Sequence, residues 1–202
     1  MAIEVVPLTE ADIPGAIEVI QQAFADDPYF KWVFDSSKQF LLLFFILFPH
    51  PRRLLLATPL PTSQPESWYS YFQSWMLSIN QFLTNMRHWG HGGLHTRRYW
   101  IWKDRQHAAQ SQIWDDPRGY YFCNIVAVSP EAQGKGVGRL LFEAVTKQAD
   151  REGVKCYLES SKSVPNVQIY ERMGFEMRKE MECRDGEDVC MLYCMVRNPK
   201  TE

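Results

Sequence analysis

The sequence lacks the features that define several classes of protein. Its 202 residues carry 22 Lys and Arg against 24 Asp and Glu, so no basic excess favours nucleic acid as a partner. Its longest apolar run, residues 40–48, is shorter than the ~20 residues of a membrane-spanning helix. The first residues lack the basic and then apolar order of a secretory signal. We therefore expect a cytoplasmic protein that binds neither nucleic acid nor membranes.

Neither a disulfide framework nor a metal site is indicated. The cysteines are odd in number and scattered, at Cys123, Cys156, Cys183, Cys190 and Cys194, which favours reduced thiols in a reducing compartment. Cys123 and Cys156 lie in apolar stretches and are expected to be buried. Three histidines at positions 88, 91 and 95 have no Cys or carboxylate nearby, so we expect no bound metal.

A glycine-rich segment is the most informative feature that is present. An apolar stretch, residues 126–128, leads into Gln-Gly-Lys-Gly-Val-Gly-Arg at residues 133–139 and then into an amphipathic pattern over residues 140–151. This order predicts a strand, a turn and a helix N-terminus. Because such a terminus has unpaired N–H donors and the positive end of the helix dipole, it favours a phosphate group.

Three phosphate-binding patterns compete for this segment. A Walker A loop needs Ser or Thr after Gly-Lys, but Gly136 follows Lys135. A dinucleotide fingerprint needs G-x-G-x-x-G near the start of a βαβ unit, whereas the glycines here run G-x-G-x-G two-thirds of the way along the chain. The third pattern, Q/R-x-x-G-x-G/A, fits Gln133, Gly136 and Gly138 at every fixed position.

The third pattern resembles the pyrophosphate loop of the GCN5-related N-acetyltransferase (GNAT) superfamily, including small fungal GNAT-domain proteins. A second signature supports the resemblance, because Tyr170 is followed by Gly174 and Phe175 in the order Tyr-x-x-x-Gly-Phe. The resemblance is strong over residues 120–197 and extends less clearly over residues 1–32. It implies that acetyl-CoA is the acyl donor.

The fold implied is α/β (α+β): a central mixed, mostly antiparallel sheet flanked by helices, with its fourth and fifth strands splayed apart. Residues 1–202 are expected to form a single domain. Periodicity and turn signals predict the elements in order. They are a strand at 3–7, a helix capped by Thr9 and Asp12 and ended by residues 26–28, helices at 68–86 and 99–114, a turn at 115–119, a strand at 120–128, a helix at 140–151, a strand at 154–159, a capped short helix before Gly174, a polar turn at 182–188 and a strand at 189–196.

Residues 40–66 depart from the family pattern. An unbroken apolar run is followed by five prolines within this range, where a GNAT chain would have a polar helix and two antiparallel strands. Only weak strand candidates are present, at 42–48 and 54–58. An alternative hypothesis is that the stretch comes from a gene-model error, such as translated intron.

The resemblance assigns most cofactor contacts to the glycine-rich segment. The diphosphate would be held by Gln133, Gly134, Lys135, Gly136, Val137, Gly138 and Arg139. The pantetheine arm would pair with the backbone of Val126, Ala127 and Val128, and the Val128 N–H would polarise the thioester carbonyl. Asn166 would touch the pantetheine arm, or would serve only as a helix cap.

The catalytic residues implied are an acid and a base. Tyr170 matches the family tyrosine that protonates the departing thiolate, and the alternative is a packed aromatic ring. Phe122 occupies the position of the family's usual glutamate base. Glu159 is therefore the candidate base, unless it is a surface carboxylate and a water chain takes the role. A covalent route through Cys123 is disfavoured because no His–Cys arrangement is visible.

The function predicted is acyl-CoA-dependent N-acetylation of a primary amine by direct attack in a ternary complex. The acceptor is a small-molecule or peptide amine that the sequence does not identify, and the oligomeric state is open. One alternative is a CoA-binding GNAT-like protein without efficient transferase activity. Another is a nucleotide-binding module of a different kind, which would bind ATP in place of CoA.

Overall fold

A computed structural model describes residues 3–35, 59–60, 72, 76, 79 and 93–200. Residues 72, 76 and 79 are helical, within the helix predicted at 68–86. The rest of that helix lies outside the described residues, as do the strand candidates at 42–48 and 54–58 and two of the histidines.

The described residues form one mixed sheet with the strand order β1-β2-β3-β5-β4. Its strands are β1 (Pro59–Leu60), β2 (Tyr120–Cys123), β3 (Lys155–Ser160), β4 (Glu176–Asp185) and β5 (Asp188–Arg197). The β2–β3 pair is parallel and every other pair is antiparallel. The prediction of a mixed, mostly antiparallel sheet is confirmed.

Helices cover both faces of the sheet. They are α1 (Ile13–Phe24), α2 (Pro28–Val33), α3 (Thr96–Ile113), α4 (Val137–Glu152) and α5 (Gln168–Arg172). On β3, Tyr157 packs in the core formed with α2 and α3, whereas Cys156 and Leu158 pack in the core formed with α4. Successive side chains of a strand point to opposite faces, so Glu159 projects toward the α2–α3 side.

The two central strands separate after a short parallel ladder. The last β2–β3 pair is Cys123 with Leu158, while β3 continues along β5 to Ser160. Residues 124–128, predicted as part of the strand, are therefore not strand residues. The cause is the splay itself, since a chain that diverges from its neighbour forms no ladder there.

The N-terminal strand prediction was wrong. Ile3, Val5 and Val6 are exposed, and no strand forms at residues 3–7. Their alternation gains no buried face on which to pack. The predicted helix start is confirmed in part, because the Asp12 carboxylate accepts the Thr9 N–H at 2.9 Å. The Thr9 hydroxyl, however, donates to that carboxylate in place of capping the helix.

The C-terminal hairpin is tighter than predicted. Residues 182–185 belong to β4, which pairs with β5 up to Asp185 and Asp188, and Gly186 lies in the turn with φ +64°. The polar residues that resembled a long turn belong to an edge strand. Charged residues are common on such strands.

Buried polar groups connect the sheet to its helices. The Arg197 guanidinium, 4% exposed, donates two hydrogen bonds of 2.8 and 2.7 Å to the Asp150 carboxylate of α4. All five cysteines are free thiols, and Cys123 is half-buried where full burial was predicted.

Candidate functional site

The glycine-rich turn leaves open space in front of helix α4. Gly134 and Gly136 have φ of +74° and +77°, and a Cβ added to either would meet nothing within 4 Å. Gly136 is the N-cap residue of the helix. The third glycine differs, since a Cβ on Gly138 would lie 3.6 Å from the Val128 side chain. The first two glycines thus combine a left-handed backbone with room for a ligand.

The start of α4 offers donors to an anion. Its first helical hydrogen bond runs from the Leu140 N–H to the Gly136 carbonyl at 3.1 Å, and no side chain caps the terminus. The N–H groups of residues 137–139 therefore have no carbonyl partner within the helix. Lys135 is exposed beside them. Arg139 forms a salt bridge with Glu143, 2.6 Å away. Sequence reasoning missed this ion pair. These features fit a diphosphate.

A cavity of about 270 Å³ lies along the segment that connects β2 to this turn. Its walls come from α1, α4 and the segment itself, and they are mostly apolar. The lining includes Ile20, Tyr121, Cys123, Val126, Ala127, Phe142 and Val145. The cavity is suited to an extended, largely apolar group.

A second cavity of about 90 Å³ adjoins the same segment. Both cavities are lined by Phe122, Cys123, Asn124 and Ile125, so the end of β2 lies at the boundary between them. The smaller cavity is otherwise lined by Phe24, Asp27, Tyr29, Phe30, Trp102, Gln106, Glu159, Ser161 and Leu192. It therefore gathers residues from α1, α2, α3, β3 and β5.

Glu159 lines the smaller cavity and is not a surface carboxylate. It accepts a hydrogen bond from the Tyr157 hydroxyl at 2.8 Å and one from Gln106 Nε2 at 2.9 Å. Burial raises the pKa of Glu159 above its ordinary value, although the hydrogen bonds from Gln106 and Tyr157 oppose that shift. A half-buried carboxyl with a raised pKa is suited to accept a proton near neutral pH.

Asp27 is a second carboxylate in the smaller cavity and is 4% exposed. One oxygen caps α2 by accepting the N–H groups of Tyr29 and Phe30 at 3.0 and 3.2 Å, and the other accepts the Ser161 hydroxyl. Sequence reasoning assigned Asp27 only to a helix stop. The Asp-Pro pair was a signal for the cap, but not for the cavity.

Tyr170 lies on the other side of the sheet from Glu159. Its ring packs edge-on against Phe142, at 5.4 Å between centroids, and against Phe175, at 6.2 Å. Burial raises the pKa of the Tyr170 hydroxyl, and the nearby Cys123 and Asp27 raise it further. The residue is thus a packed aromatic ring whose hydroxyl stays protonated close to the end of β2.

Two other predictions about individual residues are resolved by the geometry. Asn166 does not cap a helix, because α5 begins after Val167 with no side-chain cap. The segment before α5 is an irregular turn in which Val164 has an extended backbone. Burial raises the pKa of the Cys123 thiol to about 12, which disfavours the thiolate that a covalent route would need.

Two features are absent from the described part of the chain. There, no group of three or more His, Cys, Asp and Glu residues is arranged to hold a metal ion. Among the same residues, no helix is both long and apolar enough to cross a membrane.

The site geometry agrees with a family comparison. Residues 95–177, which include the glycine-rich turn and Tyr170, match the family model of the acetyltransferase (GNAT) domain. This part of the chain, residues 95–177, belongs to the GNAT family of acetyltransferase domains. A curated relative, an uncharacterised N-acetyltransferase of Schizosaccharomyces pombe, is 39% identical over 77 residues, which are 38% of this chain and 31% of the relative. The match thus spans about a third of the relative's length.

Solved acetyltransferase structures are similar at low identity. A Corynebacterium glutamicum protein described as histone acetyltransferase HPA2 and related acetyltransferase is 19% identical, with a TM-score of 0.46 and coverage of 98% of this chain and 96% of that one. The ribosomal-protein-S18-alanine N-acetyltransferase of Escherichia coli is 22% identical, with a TM-score of 0.36 and coverage of 41% and 56%.

Proposed function

We propose that this chain is an acyl-CoA-dependent N-acetyltransferase that transfers acetyl from acetyl-CoA to a primary amine. The observation that carries the proposal is the position of the β2 end between two cavities. The larger cavity is lined in part by α4, whose first N–H groups have no partner within the helix, and the smaller one is lined by two carboxylates. A donor and an acceptor could therefore reach the same backbone segment from two sides, as direct attack in a ternary complex requires.

The glycine-rich turn would hold the diphosphate of acetyl-CoA. Gly134 and Gly136 give the phosphates access to the backbone, and the N–H groups at Val137, Gly138 and Arg139 would donate to them. The exposed Lys135 side chain would add positive charge near the phosphates. Gln133 fixes the turn, because its Nε2 donates to the Val128 carbonyl at 3.4 Å.

The splayed segment would align the acyl end. Val126, Ala127 and Val128 have no neighbouring strand among the described residues, so their backbone groups can pair with the pantetheine arm. Asn166, which does not cap a helix, would contact the same arm. When bound, acetyl-CoA supplies an activated thioester, and the Val128 N–H would donate to its carbonyl oxygen.

Glu159 and Tyr170 would move the protons. As the amine nitrogen bonds to the acyl carbon and the carbon–sulfur bond breaks, Glu159 takes a proton from the amine. Tyr170 gives its proton to the departing sulfur. Proton exchange with solvent restores both residues. The raised pKa of Glu159 makes it a stronger base than an ordinary carboxylate, and burial keeps Tyr170 protonated at neutral pH.

The remaining predictions are part of the same proposal. A single domain over residues 1–202 and a cytoplasmic location stay predictions, to be examined by limited proteolysis and by imaging of the tagged protein.

Thermal unfolding with acetyl-CoA, ATP and NAD in parallel tests the cofactor assignment. A ligand present at ~100 times its dissociation constant stabilises the native state by about 2.7 kcal/mol. We expect a rise in Tm with acetyl-CoA only. A rise with ATP instead would support a different nucleotide-binding module. Binding of acetyl-CoA without turnover of any amine would support a CoA-binding protein that is not a transferase.

A further inference from the structure

We propose that the smaller cavity selects an unbranched primary alkylamine, bound as its ammonium ion between Asp27 and Glu159, with no carboxylate next to the amine. The ammonium ion releases one proton to solvent before attack, and Glu159 takes the second proton as the amide forms. The inference rests on the proposed function and names its acceptor class. Its three supports are the charge, the size and the aromatic walls of the cavity.

The charge of the cavity favours a cation. Among the described lining residues, Asp27 and Glu159 carry negative charge and none is Lys, Arg or His. The hydrogen-bond partners of both carboxylates in the described structure are neutral donors: backbone N–H groups and the side chains of Ser161, Tyr157, Gln106 and Trp102. One buried carboxylate and one half-buried carboxylate, neither bonded to a cation, attract an ammonium group and repel a further carboxylate.

One lysine lies behind the cavity wall and partly offsets this charge. Lys103 Nζ donates to Gln106 Oε1 at 2.9 Å, and Gln106 in turn donates to Glu159. Burial lowers the pKa of Lys103, and Glu159 opposes that shift. Gln106 is therefore held in one orientation with its amide nitrogen toward the cavity, and the two carboxylates still outnumber the one cation.

The size of the cavity favours a narrow group. Its volume of about 90 Å³ is a third of the about 270 Å³ of the larger cavity. An ammonium group with the first methylenes of a chain suits this narrower space better than an aromatic ring next to the amine. The remainder of a longer acceptor would extend outward.

Aromatic rings complete the walls. Tyr29 and Trp102 lie 5.1 Å apart between ring centroids, and both line the cavity. Trp102 already binds one ammonium group by its face, because Lys103 Nζ lies 4.9 Å from the ring centroid. Ring faces attract cations and pack well against methylenes, so they suit an alkylammonium ion better than a polar acceptor.

A matched set of amines tests the selectivity. Norvaline is n-butylamine with a carboxylate on the amine-bearing carbon, and benzylamine places a ring on that carbon. Transfer from acetyl-CoA is followed by thiol release and by mass spectrometry of the product. We expect kcat/KM for n-butylamine and cadaverine to exceed those for norvaline and benzylamine by about tenfold or more. Nα-acetyl-lysinamide, compared with cadaverine, distinguishes a peptide lysine from a free diamine as the source of the same chemistry.

A pair of adjacent variants tests the charge. Asp27→Asn keeps a residue that caps helices well but removes the cavity charge. Asp26→Asn is the matched control, because the Asp26 side chain is 87% exposed and pairs with Lys31. We expect Asp27→Asn to raise KM for n-butylamine by about tenfold with a smaller change in kcat. The Asp26 variant should match the wild type.

The outcomes separate this inference from the proposed function. Faster turnover of norvaline or benzylamine would overturn the acceptor class while leaving the transferase assignment intact. If acetyl-CoA does not bind, the transferase proposal fails, and ligand-observed NMR with n-butylamine alone then decides about the cavity. Binding that Asp27→Asn weakens and Asp26→Asn does not would still support it, whereas equal binding by both variants or none by the wild type would overturn it.

Discussion

Replacing Gly136 by alanine should separate cofactor binding from folding. Gly136 has φ +77°, and an added Cβ would meet no protein atom within 4 Å. Alanine in the left-handed region costs about 1–2 kcal/mol per residue. In the proposed complex, however, the same methyl group would occupy the space of the diphosphate. Gly136→Ala should therefore fold with modestly reduced stability and lose much of its affinity for CoA.

The hairpin glycine gives a matched control for the backbone cost. Gly186 has φ +64°, and its added Cβ would also meet nothing within 4 Å, but it lies in the β4–β5 turn. Gly186→Ala should lower the free energy of unfolding by a similar amount of about 1–2 kcal/mol and leave CoA affinity unchanged.

Two measurements complete this test. Urea unfolding gives the stability of both variants, and isothermal titration calorimetry with CoA gives the dissociation constants. We expect Gly136→Ala to weaken CoA binding at least about tenfold, equivalent to about 1.4 kcal/mol. Equal CoA affinity in two folded variants of matched stability would refute the assignment of the diphosphate to this turn.

Three further predictions concern other residues. Tyr170→Phe should lower kcat by about 10²-fold or more at nearly constant CoA affinity in calorimetry; an unchanged kcat would rule out the acid role. The rise of kcat/KM with pH should have a midpoint above the ordinary glutamate pKa, because burial raises the pKa of Glu159 and the base acts only when deprotonated. If the same rise with pH persists in Glu159→Gln, it belongs to another group. Asp150→Asn should lower the free energy of unfolding by about 3 kcal/mol, as measured in urea. The hydrogen bond from Arg197 lowers the pKa of Asp150, so this stabilisation is present above the ordinary aspartate pKa and is lost as the pH falls through the lowered value. If the free energy of unfolding of the variant fell with acidification as much as that of the wild type, this account of Asp150 would be contradicted.

The local elements around the glycine-rich turn could be predicted because their signals are local. The helix predicted at 99–114 is Thr96–Ile113, and the one predicted at 140–151 is Val137–Glu152. Gly174, with φ +89°, follows the end of a helix as expected. Helical periodicity and the preference of glycine for positive φ depend on few neighbouring residues.

The strand ends could not be predicted, because they depend on partners. Residues 124–128 are mostly apolar, as the residues of a buried strand are. The β2–β3 ladder nevertheless stops before them, where β3 diverges from β2. Exposed alternation at residues 3–7 resembled a strand in the same way. A hydrophobic pattern shows that the order of side chains would suit a strand. It does not show whether a neighbouring strand is present to pair with it.

The acceptor side of the candidate site was also beyond prediction. Asp27, Gln106 and Glu159 lie far apart in the sequence, on α2, α3 and β3, and no motif connects them. Only packing against one face of the sheet brings them around one cavity. The turn at residues 133–139 could be found because its contacts come from one continuous segment.

Transfer of a labelled acetyl group tests the central claim most directly. The purified chain is incubated with n-butylamine and acetyl-CoA labelled in the acetyl carbons, and both products are quantified. We expect the label to appear in the amide of the amine, with one thiol released for each amide formed. A folded protein that binds acetyl-CoA but gives neither labelled amide nor thiol, with this amine or with the rest of the panel, would contradict the assignment as a transferase.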